Sequence, residues 1–322
     1  MKTLIVPLDG SPVAEQVLPH VKWLATLLTA RVRLLQVISN EEVAGVLSHD
    51  GHVLRELGDP SLSDAVDAQR VGDLLRQRAV DYLGARAAEL HDAGVPADIV
   101  VHEGSPAEQI VSLAEGDHEA LIAMATHGYS GLRRWALGSV ADKVLHIAKT
   151  PVFLMRAATQ PPTIRPCKRI LVPLDGSANA EQALPPAIEL ARAARAELIL
   201  LQVAVPLIEY VPGLSPFNRP LAPSIKFPEF LREQAQQQLA ATIDRFGASE
   251  VAMTPVAMFG YPAEAIVDEA SARQADLIVM ATHGYGGLRR WALGRVADKV
   301  LHASAVPLLL VRSCASSPAW PE

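Results

Sequence analysis

The chain is short of the residues that mark secreted, metal-binding and membrane proteins. Among its 322 residues there are two cysteines, Cys167 and Cys314, neither in a CxxC pair nor beside clustered histidines. A disulfide framework is thereby excluded, and both read as incidental thiols in a reducing compartment. The remaining histidines lack metal-ligand spacing. No apolar run approaches the ~18 residues that a membrane helix needs. The opening run is short and is interrupted by Asp9. The same pattern returns inside the chain at Asp175, so the N-terminus reads as a poor signal peptide. An excess of positive charge is also missing: the net charge is −6, which a phosphate backbone repels on average. The expectation is a cytoplasmic protein with neither membrane nor nucleic acid as partner. Neither a GxxxxGK[ST] P-loop nor a GxGxxG fingerprint occurs, which argues against an ordinary P-loop NTPase and a Rossmann dehydrogenase.

What the chain does have, it has twice. Residues 124–146 read MATHGYSGLRRWALGSVADKVLH, and 280–302 repeat them with two differences, Gly286 for Ser130 and Arg295 for Ser139. Earlier, the KTLIVPLDGS that starts at Lys2 matches the KRILVPLDGS that starts at Lys168, and LLQV at Leu34 matches LLQV at Leu200. The early matches are 166 residues apart and the late ones 156, so the second copy is ten residues shorter between Val203 and Met280. Two copies at so long a period mean duplicated domains rather than a solenoid. The expected boundaries are 1–157 and 167–314, joined by a proline-containing connector over 158–166.

Within each copy, apolar runs alternate with helical spacing. The run ending at Pro7 reads as a buried strand with the proline at its end. Ser11 followed by Pro12 starts a helix expected to reach about Leu28. A strand over 32–37 follows, then an irregular stretch over 38–64 and a helix over 65–93. Strands at 99–101, 120–125 and 152–155 alternate with helices at 106–114 and 140–148. The second half retraces this course, with a long proline-rich irregular segment over 204–227, a length that suits a lid or binding loop. The fold class expected is α/β. It comprises two tandem doubly wound domains, each a five-stranded, mostly parallel sheet with helices on both faces.

In such sheets ligands bind beyond the carboxyl ends of the strands, at the topological switch point. Asp9 and Asp175, Val37 and Val203, and the two glycine stretches all fall at carboxyl ends. Gly128, Gly131 and Gly138 let a ligand approach the main chain. Ser139 suits the N-cap of the next helix, with Asp142 reaching back as in a capping box. Free N–H groups there favour phosphate, with a dipole contribution of about 0.3–1 kcal/mol. An ordinary strand-to-helix turn that binds nothing fits the glycines equally well. Asp9 and Asp175 can likewise orient a ribose or simply bond their own Asp-Gly turns. His127 and His283 have no acidic or nucleophilic partner fixed by sequence, so no catalytic residue is assigned. Trp135 and Trp291 read as anchors packed under the loops.

At the loop the chain resembles the universal stress protein family, whose ATP-binding members carry G-x2-G-x9-G-[S/T]. Ala125 and Gly128, nine residues, then Gly138-Ser139 keep that spacing, and so do Ala281, Gly284, nine residues, and Gly294-Arg295. The resemblance covers nearly the whole chain and implies an adenine-nucleotide-binding fold in each half. Asp9 and Val37 match family positions contacting ribose and adenine, with Pro7 and Met124 lining the base. Gly128, Gly138, Ser139 and Val140 match phosphate contacts. The second site implied is Pro173, Asp175, Val203, Met280, Ala281, Gly284, Gly294, Arg295 and Val296. It also implies ATP as cofactor, with or without magnesium, and pairing of the last strands into an intramolecular pseudo-dimer, with or without further homodimerisation. Alanine replaces the first motif glycine in both halves (Ala125, Ala281). Arg295 replaces the motif serine, where it can either pair with a phosphate or fill its place. A stress-response sensor is the leading reading. A slow ATPase or phosphotransferase and a scaffold that binds no nucleotide are the alternatives.

Overall fold

The first strand, β1 (Thr3–Pro7), ends on its proline, where a missing N–H interrupts no further strand pairing. Leu4, Ile5 and Val6 are fully buried, as befits a strand covered on both faces, and each contributes about 1.5–3 kcal/mol through burial. A computed structural model describes residues 1–48, 68–126, 137–157, 165–205, 227–247, 251–282 and 293–312. The chain divides into two units, Met1–Ile164 and Arg165–Glu322.

In the first unit β1 is followed by α1 (Pro12–Glu15), α2 (Leu18–Leu28), β2 (Arg31–Ile38), α3 (Asn40–Ser48) and α4 (Ala68–Asp92). Then come β3 (Ala97–Glu103), α5 (Pro106–Glu115), β4 (Ala120–Thr126), α6 (Ser139–Ile147) and β5 (Val152–Arg156). The strands pair in parallel in the order β3-β2-β1-β4-β5. Parallel neighbours need crossovers, and the helices supply them.

The second unit has β6 (Arg169–Leu174), α7 (Ala178–Glu181), α8 (Leu184–Ala194), β7 (Glu197–Ala204), α9 (Phe227–Phe246) and β8 (Met253–Phe259). It closes with α10 (Pro262–Ala272), β9 (Leu277–Ala281), α11 (Arg295–Ala303) and β10 (Leu308–Val311). Its sheet runs β8-β7-β6-β9-β10, again parallel. The two five-stranded α/β units expected from the sequence are therefore present.

Three local expectations need correction. The helix expected from Ser11 to Leu28 is broken between α1 and α2, because Pro19 lacks the N–H that a continuous helix would donate to the carbonyl of Glu15. Pro185 and Pro186 split α7 from α8 in the same way. The stretch after Ile38 is not wholly irregular, since α3 forms there. Ser39 Oγ accepts from Glu42 N at 3.1 Å, acidic residues occupy the first turn, and Val43 and Val46 pack on Ile38, Val71 and Leu75. The long segments over 49–67 and 206–226 lie outside the described residues.

Candidate nucleotide site

In each unit the strand order reverses beside the first strand. The chain leaves β1 towards β2 and β3, then crosses back to β4 on the other side of β1. A crevice opens at such a point, between the carboxyl ends of β1 and β4. Asp9 follows β1, and the glycine stretch follows β4. In the second unit Asp175 follows β6 and the second glycine stretch follows β9.

Gly10 has φ +78° and Gly176 φ +80°, a left-handed bend that turns the chain from strand to helix. Asp9 Oδ1 accepts from Ser11 N at 2.9 Å, and Ser11 Oγ accepts from Ala14 N at 3.1 Å to cap α1. The local Asp-Gly turn bond weighed from the sequence is thus made. Asp9 is nevertheless exposed, and its second oxygen has no partner among the described residues. Asp175 is held more tightly, because Oδ1 accepts from both Ser177 N (3.0 Å) and Ser177 Oγ (2.6 Å).

Pro7 is half-buried at the end of β1, and Val37 is half-buried on β2 opposite His102 of β3. Met124 is buried and Ala125 half-buried near the end of β4. Ile5 pairs with Ile122, so Pro7 and Met124 each lie two residues further towards the same edge. Pro173, Met280 and Ala281 are buried in the second unit, and Val203 is half-buried opposite Met258. Gly128, Gly131, Gly284, His127, His283, Trp135 and Trp291 lie outside the described residues.

The helix start differs from expectation. Gly138, not Ser139, is the N-cap of α6. Ser139 is the first helical residue, and no side-chain bond caps the helix. Asp142 N donates to Gly138 O at 2.9 Å, so Asp142 sits one turn in and closes no capping box. Glycine reaches the extended cap angles without a side chain of its own, which leaves the first amides of α6 without an internal acceptor. Gly138 N has no partner among the described residues. Val140 is half-buried and Ser139 exposed. In α11 the cap is Gly294, followed by exposed Arg295 and Val296. There, however, Gly294 N donates to Thr282 O at 2.8 Å.

A parallel sheet whose order reverses beside its first strand, with helices as crossovers, places each unit among the doubly wound α/β proteins. The particular family follows from comparison. The profile of the universal stress protein family matches residues 1–156 and again 166–312, so the chain belongs to that family as a tandem of two such domains. The universal stress protein MJ0577 of Methanocaldococcus jannaschii is 31% identical over 157 residues, 48% of this chain and 94% of its own length. Slr1230 of Synechocystis is 22% identical over 315 residues, spanning 97% of this chain and all of its own. The crystal structure of a universal stress protein from Archaeoglobus fulgidus shares the fold, with a TM-score of 0.71, 21% identity, and coverage of 97% of this chain and 98% of its own. Among the described residues no helix is long and apolar enough to cross a membrane.

Proposed function

We propose that the protein is a cytoplasmic, adenine-nucleotide-binding stress-response regulator, with ATP held chiefly in the first unit. The observation that carries this reading is the uncapped start of α6. Its Gly138 amide, which has no partner among the described residues, stands at the switch-point crevice that Asp9 also borders, within a loop of nucleotide-motif spacing. Residues of this kind fit a polyphosphate, because backbone donors and the positive end of a helix dipole favour negative charge.

In this reading Gly128, Gly138, Ser139 and Val140 hold phosphates, and Asp9 takes the ribose. Val37, Pro7, Met124 and Ala125 enclose the base. Lobes 1–157 and 167–314, joined by 158–166, pair through their last strands. In support, β5 and β10 each stand at the end of their own sheet and are apolar, which makes them templates for strand pairing.

The second unit binds more weakly, because a phosphate at Gly294 must displace the Thr282 carbonyl from the amide it already bonds. Chromatography of what denatured protein releases, followed by incubation with ATP and magnesium, tests the proposal. Bound ATP that is not consumed supports it. Sustained ADP production that Asp9→Ala abolishes replaces the regulator with an ATPase, and no affinity at millimolar ATP leaves a scaffold.

A further inference from the structure

The first unit carries a second cleft at the amino ends of its strands, the opposite edge of the sheet from Asp9. Two helices end there in left-handed turns. Thr29 (φ 51°) closes α2, and Gly94 (φ 77°) turns the chain from α4 towards β3. Ala30 N reaches back to Ala25 O, and Val95 N to Leu90 O, each at 2.9 Å. Ala25, Ala30 and Val95 are buried between these turns. Side chains this short leave the space between the two helix ends unfilled, and a cleft of about 590 Å³ remains. Small-ligand sites run from roughly 300 to 1,000 Å³.

Charged groups surround this apolar floor. One wall is Arg31, whose Nε donates to Thr3 Oγ1 at 3.1 Å and whose Nη2 donates to Asp117 Oδ2 at 3.4 Å. Asp117 Oδ1 accepts in turn from Glu119 N at 3.0 Å. Arg31 and Asp117 thus offset each other. Lys2 and Glu119 also line the cleft, and both are exposed. The pairing of Thr3 with Ala120 sets them side by side, and Lys2 N donates to Glu119 O at 2.9 Å. One cation and one anion therefore stand next to each other beside the apolar floor. The carboxyl ends of α2 and α4 add negative partial charge.

The second unit does not repeat the pattern. There β6 pairs Arg169 with Glu197 as β1 pairs Thr3 with Arg31. Arg273 and Ala275 take the places of Asp117 and Glu119, and Arg169 Nη1 donates to the Arg273 carbonyl at 2.7 Å. Alanine at 275 removes the anion, so the arrangement belongs to the first unit rather than to the fold.

We propose that this cleft binds a small zwitterion with an aliphatic side chain, the chemistry of a free amino acid such as leucine. Its carboxylate pairs with Lys2, its ammonium with Glu119 and the helix carboxyl ends, and its side chain lies on Ala25, Ala30 and Val95. A lone anion would face Asp117, Glu119 and both helix ends. A metal cation would face Lys2 and Arg31. A ligand that carries both charges and an apolar tail complements every part. The site goes beyond the nucleotide reading and does not depend on it.

Amide spectra of the isotope-labelled full chain, titrated with L-leucine, test the site. Millimolar leucine should move the amides of Thr3, Ala30, Arg31 and Gly94 and leave those of Asp9 and Gly10 in place. Isoamylamine lacks the carboxylate and isocaproate lacks the ammonium, so each should bind about fivefold more weakly or worse. Glu119→Lys changes an exposed side chain and should weaken leucine by at least about the same factor, with the rest of the spectrum unchanged. Absence of shifts at tens of millimolar leucine, or shifts centred outside this cleft, overturns the proposal. Equal binding of either truncated analogue, or undiminished binding by Glu119→Lys, overturns it as well.

Discussion

The amide of Gly294 donates to the carbonyl oxygen of Thr282 at 2.8 Å and so closes the neck of the second glycine loop on itself. In the first unit the corresponding carbonyl, Thr126 O, accepts from Ala157 N at 2.9 Å, and Gly138 N has no partner among the described residues. Two stretches that differ at two positions in 23 residues thus differ, among the described residues, in the partner of the glycine amide at the helix start. Arg295 follows the Gly294 cap directly, and Ser139 follows the Gly138 cap.

Titration calorimetry with ATP should accordingly find one strong site per chain. Gly138→Val places a branched side chain on the open amide and should weaken that site roughly tenfold to a hundredfold, the range for losing a charge-assisted hydrogen bond. Gly294→Val should leave it within about twofold. Two equal sites, each removed by one substitution, would refute the asymmetry.

Asp9 serves two ends, and substitution can separate them. One oxygen supports the Gly10 turn through Ser11 N, and the proposed function gives the other to a ribose hydroxyl. Asp9→Asn keeps an oxygen for the turn but gives up the charge. It should hold the unfolding midpoint near that of the parent while nucleotide affinity falls about tenfold. Asp9→Ala should lower both. If Asp9→Asn binds ATP as the parent does, the carboxylate has only its local role.

The sheets were legible in the sequence because buried parallel strands are unbroken apolar runs, and because each run occurs twice at the same place in its copy. Agreement between Leu4–Pro7 and Ile170–Pro173 carried the first strand in both units. The breaks at Pro19 and at Pro185-Pro186 were equally visible, yet strong helical spacing on either side concealed them. In α3 the opposite held: few apolar positions and Gly45 diluted the pattern, while Ser39 followed by Glu41 and Glu42 was a readable start signal. At the candidate site, the position of Asp9 and the loop spacing were readable. The choice of Gly138 over Ser139 as cap was not, since it depends on the backbone angle at which the loop arrives.

His20 makes the first unit sensitive to acid. Its Nδ1 is buried without a partner, its ring lies 5.7 Å from that of Phe153, and burial lowers its pKa from the ordinary 6.5. The unfolded chain therefore takes up a proton before the folded one does. Above pH 6.5 the group contributes nothing. As pH falls through that value towards the lower folded pKa, the unfolded state gains protons first and stability is lost. Urea midpoints measured from pH 8 down to pH 5 should decline less steeply for His20→Leu than for the parent. Parallel curves would show that the histidine takes no part.

Cys167 should be chemically silent until the second unit unfolds. It is 5% exposed, just ahead of β6. Burial, reinforced by the negative charge of Asp276, pushes its thiol up to about 12, against which a backbone bond at Arg169 acts only weakly. At pH 8 that leaves a thiolate fraction on the order of one in ten thousand, where a free thiol with a pKa of ~8.5 is about a quarter ionised. The reactive form is thus scarcer by about three orders of magnitude before access is considered. Peptide mapping after iodoacetamide treatment should find Cys167 unlabelled in the native protein and fully labelled in concentrated urea. Asp276 also accepts from Lys168 N at 2.7 Å and Arg169 N at 3.0 Å. Asp276→Asn keeps an acceptor there while removing the charge, so native labelling should rise slightly. Burial is the larger cause of the shift, and it is unchanged by that substitution. Labelling of native Cys167 at the rate of a free thiol would contradict the closed packing ahead of β6.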